Sequence, residues 1–396
     1  MTRIFWALYL QMGFASLFIS FELMAQTQET AITEFIPYRK GDKWGYANPS
    51  QKIVVSIDYD ETSPFFEGRA RVKSGVLYGY IDTRLKEVVP YRYYYATHFE
   101  NNLAKIYING RYGLINAEGK EVARPIYEDI SFFANGLARV KREGFYGFIN
   151  AEGEEIIPAN FQEAGDFSEG KAAVKAEGYW GFIDTDNQEI IRLKYDFALP
   201  FREGRAGVKL DGRWGFVDEQ GNLVIPHRYF AIESFFEGMA RAERNGYWGF
   251  TDAEGKEILP IYEAAISFSE GLAPVEKNGQ WGYINKMGLM SISPQFSYAG
   301  RFKEGIAKVK KGNLWGYIDL RGNEVIGVRY ERIGNFVEGL ASVKIGNKWG
   351  FIDRAGNMMI NARYDSVDDF NQGIARIFVN QKYGYIDKKG FEYFRD

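Results

Sequence analysis

Apolar and polar positions alternate along this chain in short stretches, and the stretches recur. Between Ile306 and Lys310, Ala307 and Val309 share one face of a period-two pattern, with Lys308 between them on the other. From Leu314 to Ile318, Trp315 and Tyr317 lie on one side and Gly316 and Ile318 on the other. A third apolar stretch runs from Glu324 to Ile326. Turn chemistry bounds each stretch. Gly312-Asn313 follows the first, and Asn109-Gly110, Asn245-Gly246, Asn278-Gly279 and Asp211-Gly212 stand at the same place elsewhere. Asn-Gly and Asp-Gly suit a type I′ turn, which needs positive φ at both central residues. Asp319 to Gly322 makes a second turn. The pattern predicts three short antiparallel strands joined by tight turns.

The unit repeats with a fixed period. A Trp-Gly or Tyr-Gly pair begins at Trp44, Tyr78, Tyr112, Tyr146, Trp180, Trp214, Trp248, Trp281, Trp315, Trp349 and Tyr383, in steps of 34 residues with a single step of 33. Such a period is the signature of a repeat array. At the position of Gly305 nine units carry Gly and one carries Asn102; at the position of Gly322, Asn187 makes a similar replacement and Leu85 is an outlier. Asn visits left-handed backbone space more readily than other non-glycine residues, so these columns serve backbone shape. The first unit is eroded. Ala31 and Glu34 occupy its Phe and Gly columns, and Ile36-Pro37-Tyr38 replaces Ala-x-Val. This reads as a terminal cap, with Pro37 removing a donor from an edge strand. The expected fold is all-β: a tandem array of eleven three-stranded antiparallel units forming an elongated, open, solenoid-like structure. Three strands fall short of a propeller blade, and eleven units exceed the usual ring. The array begins on a first strand and ends on a third, which leaves no shared strand to latch a ring. A closed propeller-like or toroidal ring is the alternative.

Residues 1–25 stand outside the repeat. Arg3, an apolar run from Ile4 to Phe21 and the small Ala25 predict a secretory signal peptide, with an uncleaved anchor as the competing reading. Residues 26–33 form a short leader and 34–396 the array. An exported protein in the periplasm, on the outer surface or secreted is therefore expected, with no membrane insertion after cleavage. The chain has no cysteine, so disulfides and thiolate chemistry are excluded, and 27 Tyr, 31 Phe and 8 Trp must supply the packing. A formal net charge of −3 offers no field for nucleic acid.

The pattern Phe-x-Glu-Gly-x-Ala-x-Val, a glycine turn and Trp-Gly-Tyr-Ile-Asp-x-x-Gly resembles the WG repeat family, also called KWG repeats, over essentially all of the chain beyond the leader. Tyr replaces Trp in four units. The resemblance implies a β-rich repeat array, usually in bacterial proteins, and no agreed biochemical activity.

Candidate chemistry is sparse. His98 and His227 are the two histidines and occupy different repeat positions, which argues against a His-based triad or multi-His metal site. The acidic column Asp82, Asp184, Asp218, Asp252, Asp319, Asp353 and Asp387 alternates with Asn48, Asn116, Asn150 and Asn285, as a turn residue does and a catalytic carboxylate would not. The Trp/Tyr column reads as a packed ladder, or else as exposed rings for stacking on sugars. The residue between Ala and Val is Arg71, Lys105, Arg139, Arg241, Lys308 and Arg376 in six units. These six form a candidate ligand strip, unless the glutamates before the column glycine neutralise it. No catalytic, metal or cofactor site is expected. A monomeric, non-enzymatic scaffold or binding protein of the bacterial cell envelope, with a protein or glycan partner, is the leading expectation. A carboxylate-based glycan-processing enzyme, using pairs such as Asp60-Glu61, Glu154-Glu155 or Asp368-Asp369, and a purely structural protein are the alternatives.

Overall fold

A computed structural model describes residues 35–395, so the expected signal peptide and leader lie outside the described residues. Every regular element among them is a β-strand. Ten four-stranded sheets and one of three strands follow one another along the chain. The unit thus holds one strand more than its alternation shows. In the ninth unit the order is Tyr298–Lys303, Ile306–Lys311, Leu314–Asp319 and Glu324–Tyr330, each antiparallel to the next. The added first strand comprises only two residues in most units, for example Tyr95–Ala96, too short to display a period of two.

Local chemistry explains the turns. The Glu-Gly turn between the first two strands has positive φ at both residues, 53° at Glu304 and 81° at Gly305, as a two-residue hairpin requires. In the Asp turn, Asp319 Oδ1 accepts the backbone N–H groups of Arg321 and Asn323 at 2.9 and 2.8 Å. Asn116 accepts those of Glu118 and Lys120 in the same way, which is why amide and carboxylate interchange. The glycine of the Trp-Gly pair has a different role. The fourth strand bulges there, pairing Trp315 with Tyr330 but Tyr317 with Ile326. Its backbone then presses on Gly316: a Cβ would lie 2.5 Å from the carbonyl oxygen of Ile326.

The core lies between units. The aromatic residue two beyond each Trp meets the column Phe of the next unit: Tyr283 and Phe302 have ring centroids 4.9 Å apart, Phe182 and Phe201 likewise 4.9 Å. Ile, Val and Ala from both units complete each cluster, as Leu272, Ile292, Ala299, Ala307, Val309 and Ile318 do around Phe302. Where this aromatic is Tyr46, Tyr80, Tyr283 or Tyr317, its hydroxyl donates to a backbone carbonyl of the following unit, Tyr317 to Gly334 at 2.6 Å and Tyr80 to Thr97 at 2.7 Å.

The array closes into an eleven-bladed ring, which corrects the expectation of an open solenoid and its three-stranded units. Phe394–Arg395 pairs in parallel with Ile36–Lys40 and supplies a latch, as fourth strand of the first sheet. The latch is short, and packing does most of the joining. Ile36, Tyr38 and Ala47 of the first unit share a buried cluster with Ile374, Tyr385 and Tyr393 of the last. Trp44 and Tyr385 meet edge to face at 5.8 Å, and Tyr393 Oη donates to the carbonyl of Pro49 at 3.2 Å. The eroded first unit is not a solvent-facing cap: Ile36, Pro37 and Tyr38 are buried in this seam. Each unit buries both faces against neighbours, and in a ring the terminal units also have a partner.

Candidate functional site: the inner edge of the ring

Groups two units apart meet at the edge formed by the first strands. Arg301 of the ninth unit lies over Phe236 of the seventh, 5.4 Å from its centroid. Such contacts across an intervening unit place this edge nearest the ring axis.

Glutamates of the Glu-Gly turns staple neighbours together. Glu203 accepts the N–H groups of Glu237 and Gly238, both at 2.8 Å, and Glu237 accepts those of Glu270 and Gly271 at 2.6 and 3.0 Å. Glu67, Glu169 and Glu338 do the same for the units that follow them. A bidentate carboxylate satisfies two donors exposed by a tight turn, which offsets the cost of a glutamate at positive φ. These acids therefore bind backbone and do not neutralise the basic column.

The basic column is engaged in a second set of joints. Arg71 donates to the carbonyl of Ala96 at 2.7 Å and pairs with Glu61 at 3.0 Å. Lys105 pairs with Asp129 at 2.9 Å, Arg139 with Asp166 at 3.4 Å, Arg241 with Glu233 at 2.5 Å and Arg376 with Asp368 at 2.8 Å. Each cation also sits over the aromatic ring of its own Trp/Tyr column, for instance Arg241 over Trp248 at 4.0 Å and Lys105 over Tyr112 at 4.5 Å. Five of the six strip residues thus carry their own counterions, and they form no continuous anion-facing strip. The Trp/Tyr rings lie between the two readings of them. Most are half-buried, six of the eleven with one of these cations over them, while Trp180 is buried at 6% exposure and Tyr383 exposed at 49%.

What remains at the inner edge differs from unit to unit. The column before the recurrent Phe reads Pro64, His98, Asp166, Ser234, Arg301 and Asn335 in six of the units, and the column after it includes Phe66, Glu100, Arg202 and Lys303. His98 is half-buried against Phe66, ring centroids 4.2 Å apart. Burial, helped by the nearby Arg71 guanidinium, holds its pKa down to about 4. His227, in a fourth strand, is also shifted down, again chiefly by burial. Both are more enclosed than a surface or turn position would be.

The framework that repeats around this edge matches the WG containing repeat in ten tandem copies, at residues 44–75, 78–112, 112–144, 146–180, 180–214, 214–248, 248–281, 281–315, 315–349 and 349–383. The chain belongs to the WG repeat family. Comparison with curated proteins finds no match. Among solved structures the WG array resembles a eukaryotic initiation factor at 11% identity, covering 74% of this chain and 95% of that one, with a TM-score of 0.46. It also resembles PorZ, a surface component of the type-IX secretion system of Porphyromonas gingivalis, at 10% identity, 91% and 60% coverage and a TM-score of 0.26. For AztD from Citrobacter koseri the values are 12%, 68% and 92%, and 0.33. These likenesses are too distant to bear on function.

Two hollows break the WG ring's inner edge. One, of about 620 Å³, lies at the seam and brings the acidic pairs Asp60-Glu61 and Asp368-Asp369 to one cleft with Arg71, Arg376 and His98. Three of its four carboxylates are committed: Asp60 to Lys43 at 2.6 Å, Glu61 to Arg71 and Asp368 to Arg376. The fourth, Asp369, has its pKa raised, mainly by burial and next by the Asp368 charge. Glu154-Glu155 lies elsewhere, with Glu155 paired to Arg142 at 3.0 Å. The other hollow, of about 370 Å³, lies between the ninth and tenth units and is lined by Tyr298, Arg301, Lys303, Lys308, Asn335 and Phe336 among others. Sequence reasoning missed most of these residues because it took the first strand for a connection. A signal was available: the position three before each column Phe is small or apolar, as in Ala96, Ile130, Ala164, Ala299 and Ile333.

Proposed function

We propose that this WG-repeat ring is an exported, monomeric binding scaffold of the bacterial cell envelope, acting without catalysis through the side chains of its inner edge on a protein or glycan partner. The observation that carries this reading is a contrast between columns of one array. Positions that pack one unit on the next keep one residue class from the second unit onward, such as Phe65, Phe167, Phe302 and Phe370. Positions beside them at the inner edge change charge, size and polarity from unit to unit, as in His98, Asp166, Arg301 and Asn335. A purely structural ring has no need of such variety, whereas recognition of one particular partner has. The seam cleft offers one uncommitted carboxylate, Asp369, where hydrolysis by an acid and a base or nucleophile calls for two. Export rests on Arg3, the apolar run and Ala25.

The test is capture of partners from envelope extract and from a glycan array by the purified protein. Variants of inner-edge residues such as Arg202→Ser and Lys303→Ser are expected to lose the captured partner, and variants of outer residues such as Leu259→Ser to retain it. Capture that survives every inner-edge change, or fails altogether, refutes the reading.

A further inference from the structure

We propose that the hollow between the ninth and tenth units is a subsite for the anionic group of an acidic sugar, an assignment that rests on the binding reading above and narrows it. The argument starts from Lys308. Across the array the basic column draws its counterion from one of four places: the start of its own first strand, as Glu61 serves Arg71; the position two before its own column Phe, as Glu233 serves Arg241; and two positions in the next unit, as Asp129 serves Lys105 and Asp166 serves Arg139. Around Lys308 those four places hold Tyr298, Gly300, Arg332 and Asn335. None is a carboxylate.

Lys308 is nevertheless drawn in from solvent. Burial lowers its pKa, and the carboxylate whose charge partly offsets this, Asp369 from two units on, forms no ion pair with it among the described residues. Its ammonium has only long contacts, 3.5 Å to the carbonyl of Ile333 and 3.5 Å to Asn335 Oδ1, where Arg71 reaches the equivalent carbonyl at 2.7 Å. A half-buried ammonium lacking a counterion favours an incoming anion, because the ligand supplies the charge that the fold omits.

The surroundings reinforce this. Arg301 and Lys303 line the same hollow and are exposed. Glu304, the acid on its rim, is taken by Arg354. Three cations therefore converge without a carboxylate in contact. Beside them, Tyr298 presents a ring 36% exposed and braced by Trp281 and Trp315, with centroids 6.0 and 5.4 Å away. A fixed, partly open aromatic face next to a cationic cluster suits a sugar ring carrying a carboxylate or phosphate, and the hollow of about 370 Å³ has room for one such residue.

Calorimetric titration of the full chain at low salt tests the assignment, with glucuronate, glucose 6-phosphate, glucose and inorganic phosphate as probes. Binding of one or both acidic sugars is expected, weakened about tenfold or more in Lys308→Ser, whose new side chain already stands in this column as Ser342. Asn335→Asp places a carboxylate where Asp166 stands and is expected to abolish binding while raising thermal stability. The acidic sugar that binds identifies whether the group is carboxylate or phosphate. No binding of either, equal binding of inorganic phosphate, or binding indifferent to Asn335→Asp overturns the assignment. Envelope capture that persists in Asn335→Asp leaves the broader binding reading standing, so the two fail separately.

Discussion

Replacing Gly316 by Ala tests why the Trp-Gly pair recurs. An added Cβ would lie 2.5 Å from the Ile326 carbonyl oxygen, 2.9 Å from Gly327 C and 2.9 Å from Val328 Cα. All three are backbone atoms, so no side chain can swing aside. Ordinary contact needs roughly 3.5 Å or more, so the fourth strand must retreat by about 1 Å. That strand carries Ile326, 1% exposed, into the cluster of Tyr317, Tyr330, Ile333 and Phe336, and retreat loosens this packing. Overpacking costs typically about 1–3 kcal/mol, and a backbone clash belongs at the upper end, so a loss of about 3 kcal/mol is expected. Gly305→Asn is the matched control. Its φ is +81° with nothing within 4 Å of a Cβ, and Asn102 already adopts φ 62° in that column. Its cost should be about 1 kcal/mol. Urea denaturation followed by tryptophan emission gives the ranking, and amide hydrogen exchange over residues 314–330 locates the damage. If Gly316→Ala is no worse than Gly305→Asn, the bulged strand is not the reason for the pair.

Three further outcomes are expected. Cysteines placed at the register partners Lys40 and Arg395 should form a disulfide under mild oxidation, visible as faster migration in a denaturing gel; an unlinked chain counts against ring closure. Tyr317→Phe should cost only about 0.5–1.5 kcal/mol in denaturation, since it removes the bond to Gly334 while Phe182 and Phe216 already fill that column; a loss like that of a core cavity would refute the assigned role. Acid should destabilise the ring in two stages, read by melting temperature against pH. His98 has a lowered folded pKa, so its contribution is complete above about pH 6.5 and is lost as the pH falls towards about 4, a slope that His98→Phe should remove. Glu237 is pushed up by burial, but the N–H groups of Gly271 and Glu270 and the Lys286 ammonium outweigh this and hold it below its ordinary value. Asp319 is held down chiefly by the Asn323 side chain. Their contribution is therefore present above the ordinary carboxylate range and lost below it, and a melting temperature unchanged down to about pH 3 would contradict the turn staples.

Much of this protein was legible in its residues. Period, unit count, all-β class and turn positions follow from local rules: Gly, Asn and Asp encode positive φ, alternation encodes strands, and a recurring Trp-Gly pair marks a repeat. The interchange of Asp319 with Asn116 already implied a turn. The basic column was visible as a stripe and its neutralisation was weighed, but the acids that supply it were not legible, because Asp129 and Asp166 reach Lys105 and Arg139 from the next unit. Lys308 looked like its five companions until the four empty counterion places around it could be compared in space.

Ring closure was decided by tertiary structure alone. Within the sequence, Pro37 and the eroded first unit read as a free end, and the last residues as a third strand with no shared strand to latch a ring. Whether eleven units curve back on themselves depends on the small rotation between neighbours, set by Phe–aromatic contacts such as Tyr283 with Phe302 and accumulated over the whole array. No single unit encodes that sum. Once it brings the ends together, Tyr38 and Tyr393 share one buried cluster, and residues far apart in the chain become neighbours. Local chemistry therefore determined what each unit is, and the accumulated geometry of packing determined what shape the units make and which side chains face one another across it.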